Sequence, residues 1–404
     1  MKIASVVGAR PQFIKLAPLA LGVKEYNHAR RQPKIEHVII HTGQHYDYQM
    51  NKVFFEELGI PEPRHNLGVG SGPHGWQTGE MIKKIEEVLG KEQPSWTLVY
   101  GDTNSTLAGA VASAKLGRPL AHVEAGLRSY NRAMPEETNR VLTDHCADLL
   151  FCPTRTAVRN LRKEGFAHIV HKGDLIERSS FRGSIRSVRF PLIVNVGDIM
   201  YDALRIAFRV AAKTSRILET MGLIPKNYFL ATLHRAENTD DPEILESLVE
   251  TFAEIHRRAK PLVFSVHPRT RKALQKHRLY QSLARSVLLI DPPLSYFDML
   301  VMEKNADKIL TDSGGIQKEA YFFNVPCITL RSETEWIETK AERRNIVAGT
   351  KKKDVLKAVS ERSVGQAIKR AFPYGKGISR TLILEVLSNL DPTKFKSGSL
   401  RGGT

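Results

Sequence analysis

Short runs of apolar and β-branched residues alternate along the chain with longer stretches in which apolar residues recur every three or four positions. The short runs predict strands at residues 2–8, 36–43, 97–102, 120–126 and 149–154. The longer stretches between them predict helices at residues 13–26, 49–59, 78–92 and 105–117. Such alternation of strand and helix is typical of α/β domains with a parallel sheet.

A second series of the same kind opens with residues 194–213 and continues through predicted strands at 228–234, 261–267, 287–291, 308–314 and 326–330. The pattern predicts two doubly wound, Rossmann-like domains. We expect an N-terminal domain at 1–168, an inserted basic linker at 169–195, a C-terminal domain at 196–375, and a C-terminal helix with a basic flexible tail at 376–404.

Length and composition agree with this division. A chain of 404 residues with 42% hydrophobic residues exceeds what one core usually serves. Its three cysteines form no C-x-x-C pair, and no apolar run approaches the roughly 20 residues that span a membrane. We therefore expect a globular cytoplasmic protein with reduced thiols and no membrane span.

The formal charge of +17 is compatible with nucleic acid, an acidic membrane surface or a phosphorylated substrate as a partner. Much of the excess lies in residues 155–165, 177–190 and 394–404, which lack regularly spaced aromatic residues and any nucleic-acid-binding motif. A solvated basic surface is the interpretation we favour. The alternative of a nucleic-acid-binding protein predicts binding that weakens steeply with salt.

Five polar residues lie at the carboxyl ends of predicted strands: Asp102, Glu124, His234, His267 and Ser313. In open parallel sheets ligands bind beyond the carboxyl ends of the strands, where turns expose side chains and helix N-termini. Any one of these residues is explained by turn chemistry or helix capping. Five at the same kind of edge indicate a functional site.

Two turns suit an anion. Ser313, Gly314 and Gly315 lie between a predicted strand and helix, where backbone N–H groups and the helix dipole attract phosphate. In the first domain Gly8 ends a strand and is followed by Arg10 and Lys15. The G-x-G-x-x-G fingerprint and the P-loop are absent, which argues against NAD and ATP. A nucleotide diphosphate remains, with Glu319 placed to accept hydrogen bonds from ribose hydroxyls.

Seven segments together carry a family resemblance: "GARPQFIKLAP", "HTGQHYDYQM", "YGDTNSTLAGA", "HVEAGLRSYNRAMPEETNRVLTD", "LHRAENTD", "HPRTRK" and "DSGGIQKEAYFFNVPCITLRSETEW". In this order the chain resembles the non-hydrolysing UDP-N-acetylglucosamine 2-epimerases over about residues 1–345. The resemblance implies a GT-B fold whose two domains face a cleft, with UDP held mainly by the C-terminal domain. It also implies a homodimer that acts on a UDP-sugar without cofactor or metal and supplies surface polysaccharide precursors.

The reaction that the resemblance implies inverts C2 of the sugar by eliminating UDP to a 2-acetamidoglucal and adding it back. One carboxylate on each side of the ring would remove and return the proton. The resemblance implies catalytic roles for Asp102, Glu124, Glu136, His234 and Lys15. It implies substrate-binding roles for Arg10, His267, Met299, Ser313, Gly314, Gly315, Glu319 and Arg331. For Glu137, first-turn helix stabilisation explains the residue equally well.

Four positions depart from the pattern common in bacterial members of this family: Gln12, Arg269, Lys318 and Trp336. At these positions the sequence resembles the branch of the family that contains UDP-2,3-diacetamido-glucuronate 2-epimerases. The sequence therefore leaves two sugars open for the same chemistry. A third alternative is a GT-B glycosyltransferase, which shares the fold and the UDP site but requires an acceptor.

Overall fold

The computed structural model describes residues 1–29, 32–44, 59–177, 191–334, 336–361 and 373–395. Contacts within the chain divide it into two compact units. Unit 1 comprises Met1–Ile206 and Phe372–Thr404, and unit 2 comprises Ala207–Ala371. The predicted helix at 49–59 lies almost entirely outside the described residues.

Unit 1 contains one parallel sheet whose eight described strands run in the order β3-β2-β1-β4-β5-β6-β8-β7. The strands are β1 Lys2–Val7, β2 Glu36–His41, β3 His65–Asn66, β4 Trp96–Tyr100, β5 Leu120–Val123, β6 Leu149–Cys152, β7 His168–Ile169 and β8 Leu192–Asn195. Its helices are α1 Arg10–His28, α2 His74–Glu92, α3 Asn104–Lys115, α4 Pro135–Cys146, α5 Arg155–Lys163, α6 Ile199–Thr214, which runs on into unit 2, and α15 Ser379–Asn389. Short 3₁₀ helices span Val170–Gly173 and Pro392–Phe395.

Unit 2 contains a second parallel sheet in the order β11-β10-β9-β12-β13-β14. The strands are β9 Phe229–Thr232, β10 Leu262–Ser265, β11 Leu288–Ile290, β12 Lys308–Thr311, β13 Cys327–Thr329 and β14 Asn345–Val347. The helices are α7 Ile217–Thr220, α8 Ala236–Thr239, α9 Pro242–Arg258, α10 Pro268–Lys276, α11 Tyr280–Ser286, α12 Tyr296–Asn305, α13 Gly314–Phe323 and α14 Lys352–Ser360. A 3₁₀ helix spans Ile337–Arg343.

Each sheet is the centre of its own core. In unit 1, Val6 and Val99 on the strands pack in one cluster with Ile85 on α2. In unit 2, Leu310 on β12 packs with Phe252 on α9. Helices that cover a parallel sheet on both faces bury its strands completely, which explains why the strands read as continuous apolar runs. Burial of each large aliphatic side chain contributes about 1.5–3 kcal/mol.

The prediction of an α/β fold with two doubly wound parallel sheets is confirmed. Most of the predicted strands and helices lie within a few residues of the observed ones. Sequence reasoning missed three short strands, β3, β7 and β14. Two of these strands have only two residues, which is too short for a hydrophobic period to be recognised.

The observed boundary between the units differs from the predicted linker at 169–195. β8 pairs in parallel with both β6 and β7, so it belongs to the first sheet and does not open the second. The segment before it is tied to β8 as well, because Ile176 N–H donates to the Asn195 carbonyl at 3.0 Å. Residues 178–190 of the predicted insertion lie outside the described residues. An apolar run fits either sheet, and only strand pairing decides between them.

The C-terminal helix also returns to unit 1. α15 packs against α1, and buried Asp202 on α6 accepts hydrogen bonds from Ser379 N–H at 3.0 Å and Arg380 N–H at 3.3 Å. Gly197 makes this approach sterically feasible, since a Cβ there would lie 2.9 Å from the Tyr374 carbonyl oxygen. Residues 396–404 of the predicted tail lie outside the described residues.

Among the described residues, no helix combines the length and apolar character that crossing a bilayer requires. Cys146, Cys152 and Cys327 are unpaired.

Candidate functional site

Strand order reverses between β1 and β4 in unit 1 and between β9 and β12 in unit 2. The loops on either side of such a point diverge to opposite faces and leave a crevice at the carboxyl ends of the strands. Four of the predicted residues stand in these turns: Arg10, Asp102, His234 and Ser313. The doubly wound topology therefore puts them where this fold binds ligands.

Gln12 joins the two turns of unit 1. Its Oε1 accepts hydrogen bonds from Gly8 N–H at 2.8 Å and Ala9 N–H at 3.1 Å, and its Nε2 donates to the Tyr100 carbonyl at 3.1 Å. The side chain is fully buried. Gly8 is required because a Cβ there would lie 1.9 Å from Thr42 Oγ1. The departure at position 12 thus supports the backbone that carries the site.

Lys15 and Glu124 form a buried ion pair at this edge. Lys15 reaches it from α1, and Glu124 follows β5 directly with a φ of +79°. Gly101 leaves room for the pair, because a Cβ there would lie 2.6 Å from Lys15 Nζ and 3.4 Å from Glu124 Oε2. An ammonium group in contact favours the ionised carboxylate, which is the form that accepts a proton.

Asp102 is the second acid of this cluster. Its Oδ2 lies 2.5 Å from Nη1 of Arg140 on α4. Burial raises the pKa of the Asp102 carboxyl above its ordinary value, the charges of Glu124 and Glu136 raise it further, and Lys15 and Arg140 oppose the shift. A carboxyl group with a raised pKa beside an ion-paired carboxylate is an arrangement suited to general acid–base chemistry.

The adjacent acids Glu136 and Glu137 have different surroundings. Glu137 is buried and accepts hydrogen bonds from Ser129 N–H at 3.0 Å, Tyr130 N–H at 2.8 Å and Arg140 Nε at 2.9 Å. Burial raises the pKa of Glu137, but these donors lower it by more. Glu136 is exposed and makes no hydrogen bond or ion pair within the described part of the chain. Glu137 therefore holds the loop, while Glu136 acts on Asp102 through its charge.

A buried network that sequence reasoning missed lies behind these acids. His122 on β5 has Nδ1 2.7 Å from Asp144 Oδ1 and Nε2 2.8 Å from the Gly101 carbonyl oxygen. Asp144 also accepts from Arg128 Nη1 at 2.7 Å and from Gly126 N–H at 3.1 Å. The network holds the turns that carry Asp102 and Glu124. The only feature of the sequence that could have indicated this network was His122, a polar residue inside an apolar strand.

In unit 2, His234 follows β9 and His267 begins α10, with ring centroids 5.4 Å apart. Asp312, directly after β12, is fully buried and accepts hydrogen bonds from the backbone N–H groups of His234 and Arg235 at 3.0–3.1 Å. His234 lowers the pKa of Asp312 against the opposing effect of burial. Sequence reasoning passed over Asp312 because it precedes the more conspicuous Ser-Gly-Gly turn.

Ser313 caps α13, its Oγ accepting from Ile316 N–H at 3.5 Å. Gly314 and Gly315 form the first turn of this helix, where backbone N–H groups have no acceptor within the helix. With the positive end of the helix dipole, such a turn can bind a phosphate group. The predicted position of this turn, between a strand and a helix, is confirmed.

Three other predicted residues surround α12 and α13. Glu319 is buried on α13 and accepts from Tyr296 Oη at 3.4 Å, while Met299 is half-buried on α12. Arg331, after β13, pairs through Nε with Glu237 at 3.2 Å. Near Glu319 lies the fully buried Glu303, whose carboxylate oxygens have no hydrogen-bond partner in the described part of the chain. Burial, with the nearby charge of Glu319, raises its pKa well above the ordinary value.

The other residues that depart from the common bacterial pattern also have partners in the structure. Lys318 Nζ lies 4.2 Å from the centroid of the Trp336 ring, which is a cation–π contact. Arg269 pairs with Asp240 at 2.7 Å on the surface. Within the described ranges no cluster of three or more histidine, cysteine or acidic side chains is arranged to hold a metal ion.

Two doubly wound parallel sheets, with acids at one switch point and histidines and a glycine turn at the other, define an α/β protein with the architecture common among nucleotide-binding proteins. A sequence profile of the family described as UDP-N-acetylglucosamine 2-epimerase matches residues 27–388. The chain belongs to this family, as its resemblance indicated, and is therefore an epimerase, which is an isomerase.

Individual relatives also carry the names of 2-epimerases of UDP-sugars. A UDP-N-acetylglucosamine 2-epimerase homolog of Methanococcus maripaludis is 49% identical over 96% of this chain and 100% of that protein. A UDP-2,3-diacetamido-2,3-dideoxy-D-glucuronate 2-epimerase of Pseudomonas aeruginosa is 44% identical over 96% and 100%. The crystal structure of Methanocaldococcus jannaschii UDP-GlcNAc 2-epimerase in complex with UDP-GlcNAc and UDP has a TM-score of 0.77 at 42% identity, covering 96% of this chain and 99% of that one.

Proposed function

We propose that this protein interconverts UDP-N-acetylglucosamine and UDP-N-acetylmannosamine by eliminating UDP across C1 and C2 and adding it back. The observation that carries the proposal is the buried Lys15–Glu124 pair beside Asp102 at the switch point of unit 1, in a chain of this family. C2 of this sugar has no adjacent carbonyl group, so simple enolisation cannot remove its proton. Loss of that proton must accompany cleavage of the C1–O bond.

In the forward direction a carboxylate takes the C2 proton, the C2–H electron pair forms the C1–C2 double bond, and the C1–O pair leaves with UDP. Readdition of UDP at C1 then needs a proton at the opposite face of C2. Glu124, which is paired with an ammonium group, suits the role of acceptor. Asp102, whose pKa burial raises, suits the role of donor. We include Glu136 and His234 as further catalytic groups.

We assign UDP binding to unit 2, to His267 at the N-terminus of α10 and to the turn of Ser313, Gly314 and Gly315 at the N-terminus of α13, which can bind a phosphate group. Glu319 is placed on the same helix to accept from ribose hydroxyls. Met299 and Arg331 complete this substrate-binding set, and we propose a substrate-binding role for Arg10 of unit 1 as well. The geometry of the α13 N-terminus supports this assignment most directly.

The test is incubation of the purified protein with UDP-N-acetylglucosamine alone in heavy water, followed by proton NMR at C2. We expect the N-acetylmannosamine epimer, with solvent deuterium at C2 of both sugars. The Glu124→Gln variant is the matched control and should incorporate little deuterium. Free sugar without epimer, or activity that requires an acceptor, would contradict the proposal and favour the glycosyltransferase alternative.

A second sugar is favoured by one observation. The 44% identical relative from Pseudomonas aeruginosa carries the name of a UDP-2,3-diacetamido-2,3-dideoxy-D-glucuronate 2-epimerase. The same proton chemistry at C2 applies to that sugar. Comparison of kcat/KM on both nucleotide sugars decides between them, since a ratio far above one for the diacetamido sugar would replace our first choice.

Three further properties belong to the proposal. The three unpaired cysteines support a reducing, cytoplasmic compartment. The family resemblance supports a homodimer and a role in surface polysaccharide synthesis. Sedimentation at the mass of a single 45.4 kDa chain would contradict the dimer. Tight, salt-sensitive binding to DNA or RNA would support nucleic acid as a partner against our expectation.

A further inference from the structure

Asp312 faces the His234 ring at ion-pair distance and also accepts from the His234 backbone N–H group. His234 Nδ1 lies 3.1 Å from Asp312 Oδ1. Asp312 Oδ2 accepts from Arg235 N–H and from Asn238 Nδ2, each at 3.0 Å. The carboxylate is fully buried, whereas the His234 side chain is 33% exposed. One group therefore fixes both the position of the β9–α8 turn and the orientation of the imidazole.

The Asp312 contact determines which ring nitrogen of His234 carries the proton. A carboxylate only accepts hydrogen bonds, so Nδ1 of His234 must be the donor. In the neutral ring the proton then resides on Nδ1, and Nε2 keeps its lone pair. Nε2 is consequently the nitrogen that accepts a hydrogen bond or a proton from a ligand.

His267 is held in the opposite way. Its Nδ1 accepts a hydrogen bond from Arg269 N–H at 3.2 Å, as the cap of α10. The neutral ring of His267 therefore carries its proton on Nε2. The two rings lie 5.4 Å apart, centroid to centroid, so one accepting and one donating imidazole stand side by side at the end of the second sheet.

We propose that Asp312 is a positioning residue that locks His234 as its Nδ1–H tautomer, so that Nε2 of His234 is the nitrogen that accepts from a ligand. This acceptor suits a hydroxyl group of the nucleotide sugar. This inference deepens the proposed function and rests on it for the identity of the ligand. The tautomers themselves do not depend on it.

The experiment is nitrogen-15 NMR of the full-length protein labelled at histidine, recorded well above the ordinary histidine pKa of about 6.5. His234→Gln and His267→Gln assign the two rings. In the unaltered protein we expect the proton on Nδ1 of His234 and on Nε2 of His267. A His234 ring with its proton on Nε2 would overturn the proposal without any variant of Asp312 being needed.

Asp312→Asn provides the second arm. The amide oxygen can keep the donors at Oδ2, while the amide N–H group faces Nδ1 of His234 and forces the proton to Nε2. We expect the His234 tautomer to switch, the His267 tautomer to stay, and turnover to fall about 10²-fold with UDP affinity within about twofold. A variant that keeps Nδ1–H on His234, or that keeps full turnover after the switch, would refute the positioning role.

Asp307→Asn is the matched control, because Asp307 precedes β12 as Asp312 follows it and its carboxylate forms an ion pair with Lys260 at 2.8 Å. It should change neither the tautomer of His234 or His267 nor the turnover. If the unaltered protein shows the two tautomers but epimerises no sugar, the proposed function fails while the assignment of Asp312 stands. The two failures are thus distinguishable.

Discussion

Each unit contains a histidine bonded to a buried aspartate, and the two pairs differ in the second ring nitrogen. In unit 1, His122 and Asp144 are both fully buried, and Nε2 of His122 is bonded to the Gly101 carbonyl. In unit 2, Asp312 is fully buried but His234 is 33% exposed. The same two residue types thus hold a backbone turn in one place and, in our proposal, present a ligand-facing nitrogen in the other.

The two histidine–aspartate pairs differ because the surrounding residues complete more of the hydrogen bonds in the first pair than in the second. Asp144 also binds Arg128 at 2.7 Å, so its removal takes a charged partner away from two buried side chains at once. Asp312→Asn instead can keep the donors at Oδ2 and releases the His234 ring, a side chain that water can reach. We therefore expect disruption of the first pair to appear in stability and disruption of the second to appear in turnover.

The largest effect should come from Asp144→Ala. His122 and Arg128 would stay buried beside the gap, and breaking a buried charge network of this kind costs about 3–5 kcal/mol. Urea unfolding followed by circular dichroism measures the loss. The surface variant Asp307→Asn should change the free energy of unfolding by less than about 1 kcal/mol. Equal stability of the two variants would break the comparison.

Substitution of the acids in front of that network should affect chemistry more than stability. Asp102→Asn and Glu124→Gln should each lower turnover by about 10² or more, because each removes a group that transfers a proton. UDP affinity, measured by calorimetry, should be nearly unchanged. Asp174→Asn, an exposed acid in the same unit, is the control. Near-normal turnover in both variants would mean that these acids serve only the turns.

Glu136 and Glu137 allow a comparison, within one helical turn, of an acid that makes no hydrogen bond in the described part of the chain with one that accepts several. Glu137→Gln weakens acceptance from two backbone N–H groups and should cost about 1–3 kcal/mol of stability. Glu136→Gln should leave stability unchanged within about 0.5 kcal/mol and lower turnover. Parallel unfolding and turnover measurements separate the two. Full turnover in Glu136→Gln would remove Glu136 from the catalytic set.

The smallest expected effect is that of a substitution at Glu303, and it should raise the free energy of unfolding where the other substitutions lower it or leave it unchanged. Its pKa is raised by burial, so the unfolded chain loses this proton first, near the ordinary value of 4.5. The stability that Glu303 contributes below that pH is lost as the pH rises through the higher folded pKa. Glu303→Gln keeps a neutral side chain and should raise stability by about 1 kcal/mol above neutral pH. Unfolding curves across pH measure this, and a destabilised variant at high pH would show that the ionised acid has a partner.

The sequence by itself determined the local features of this protein. Apolar runs marked β1, β4, β5, β9 and β12, because helices that cover both faces of a parallel sheet require continuous apolar strands. Polar residues directly after those runs, such as Asp102, Glu124 and Ser313, were recognisable because parallel strands end at one edge. The ordered motifs also indicated the family.

Only the tertiary structure decided which distant segments meet. The run at Leu192–Asn195 reads as a strand of either sheet, and its pairing with β6 assigns it to unit 1. Asp144 and Asp312 look like ordinary helix and turn acids until His122 and His234 are placed beside them. Hydrophobic periodicity is a property of neighbouring residues, whereas the partner of a buried charge is set by contacts 22 residues apart in one pair and 78 in the other.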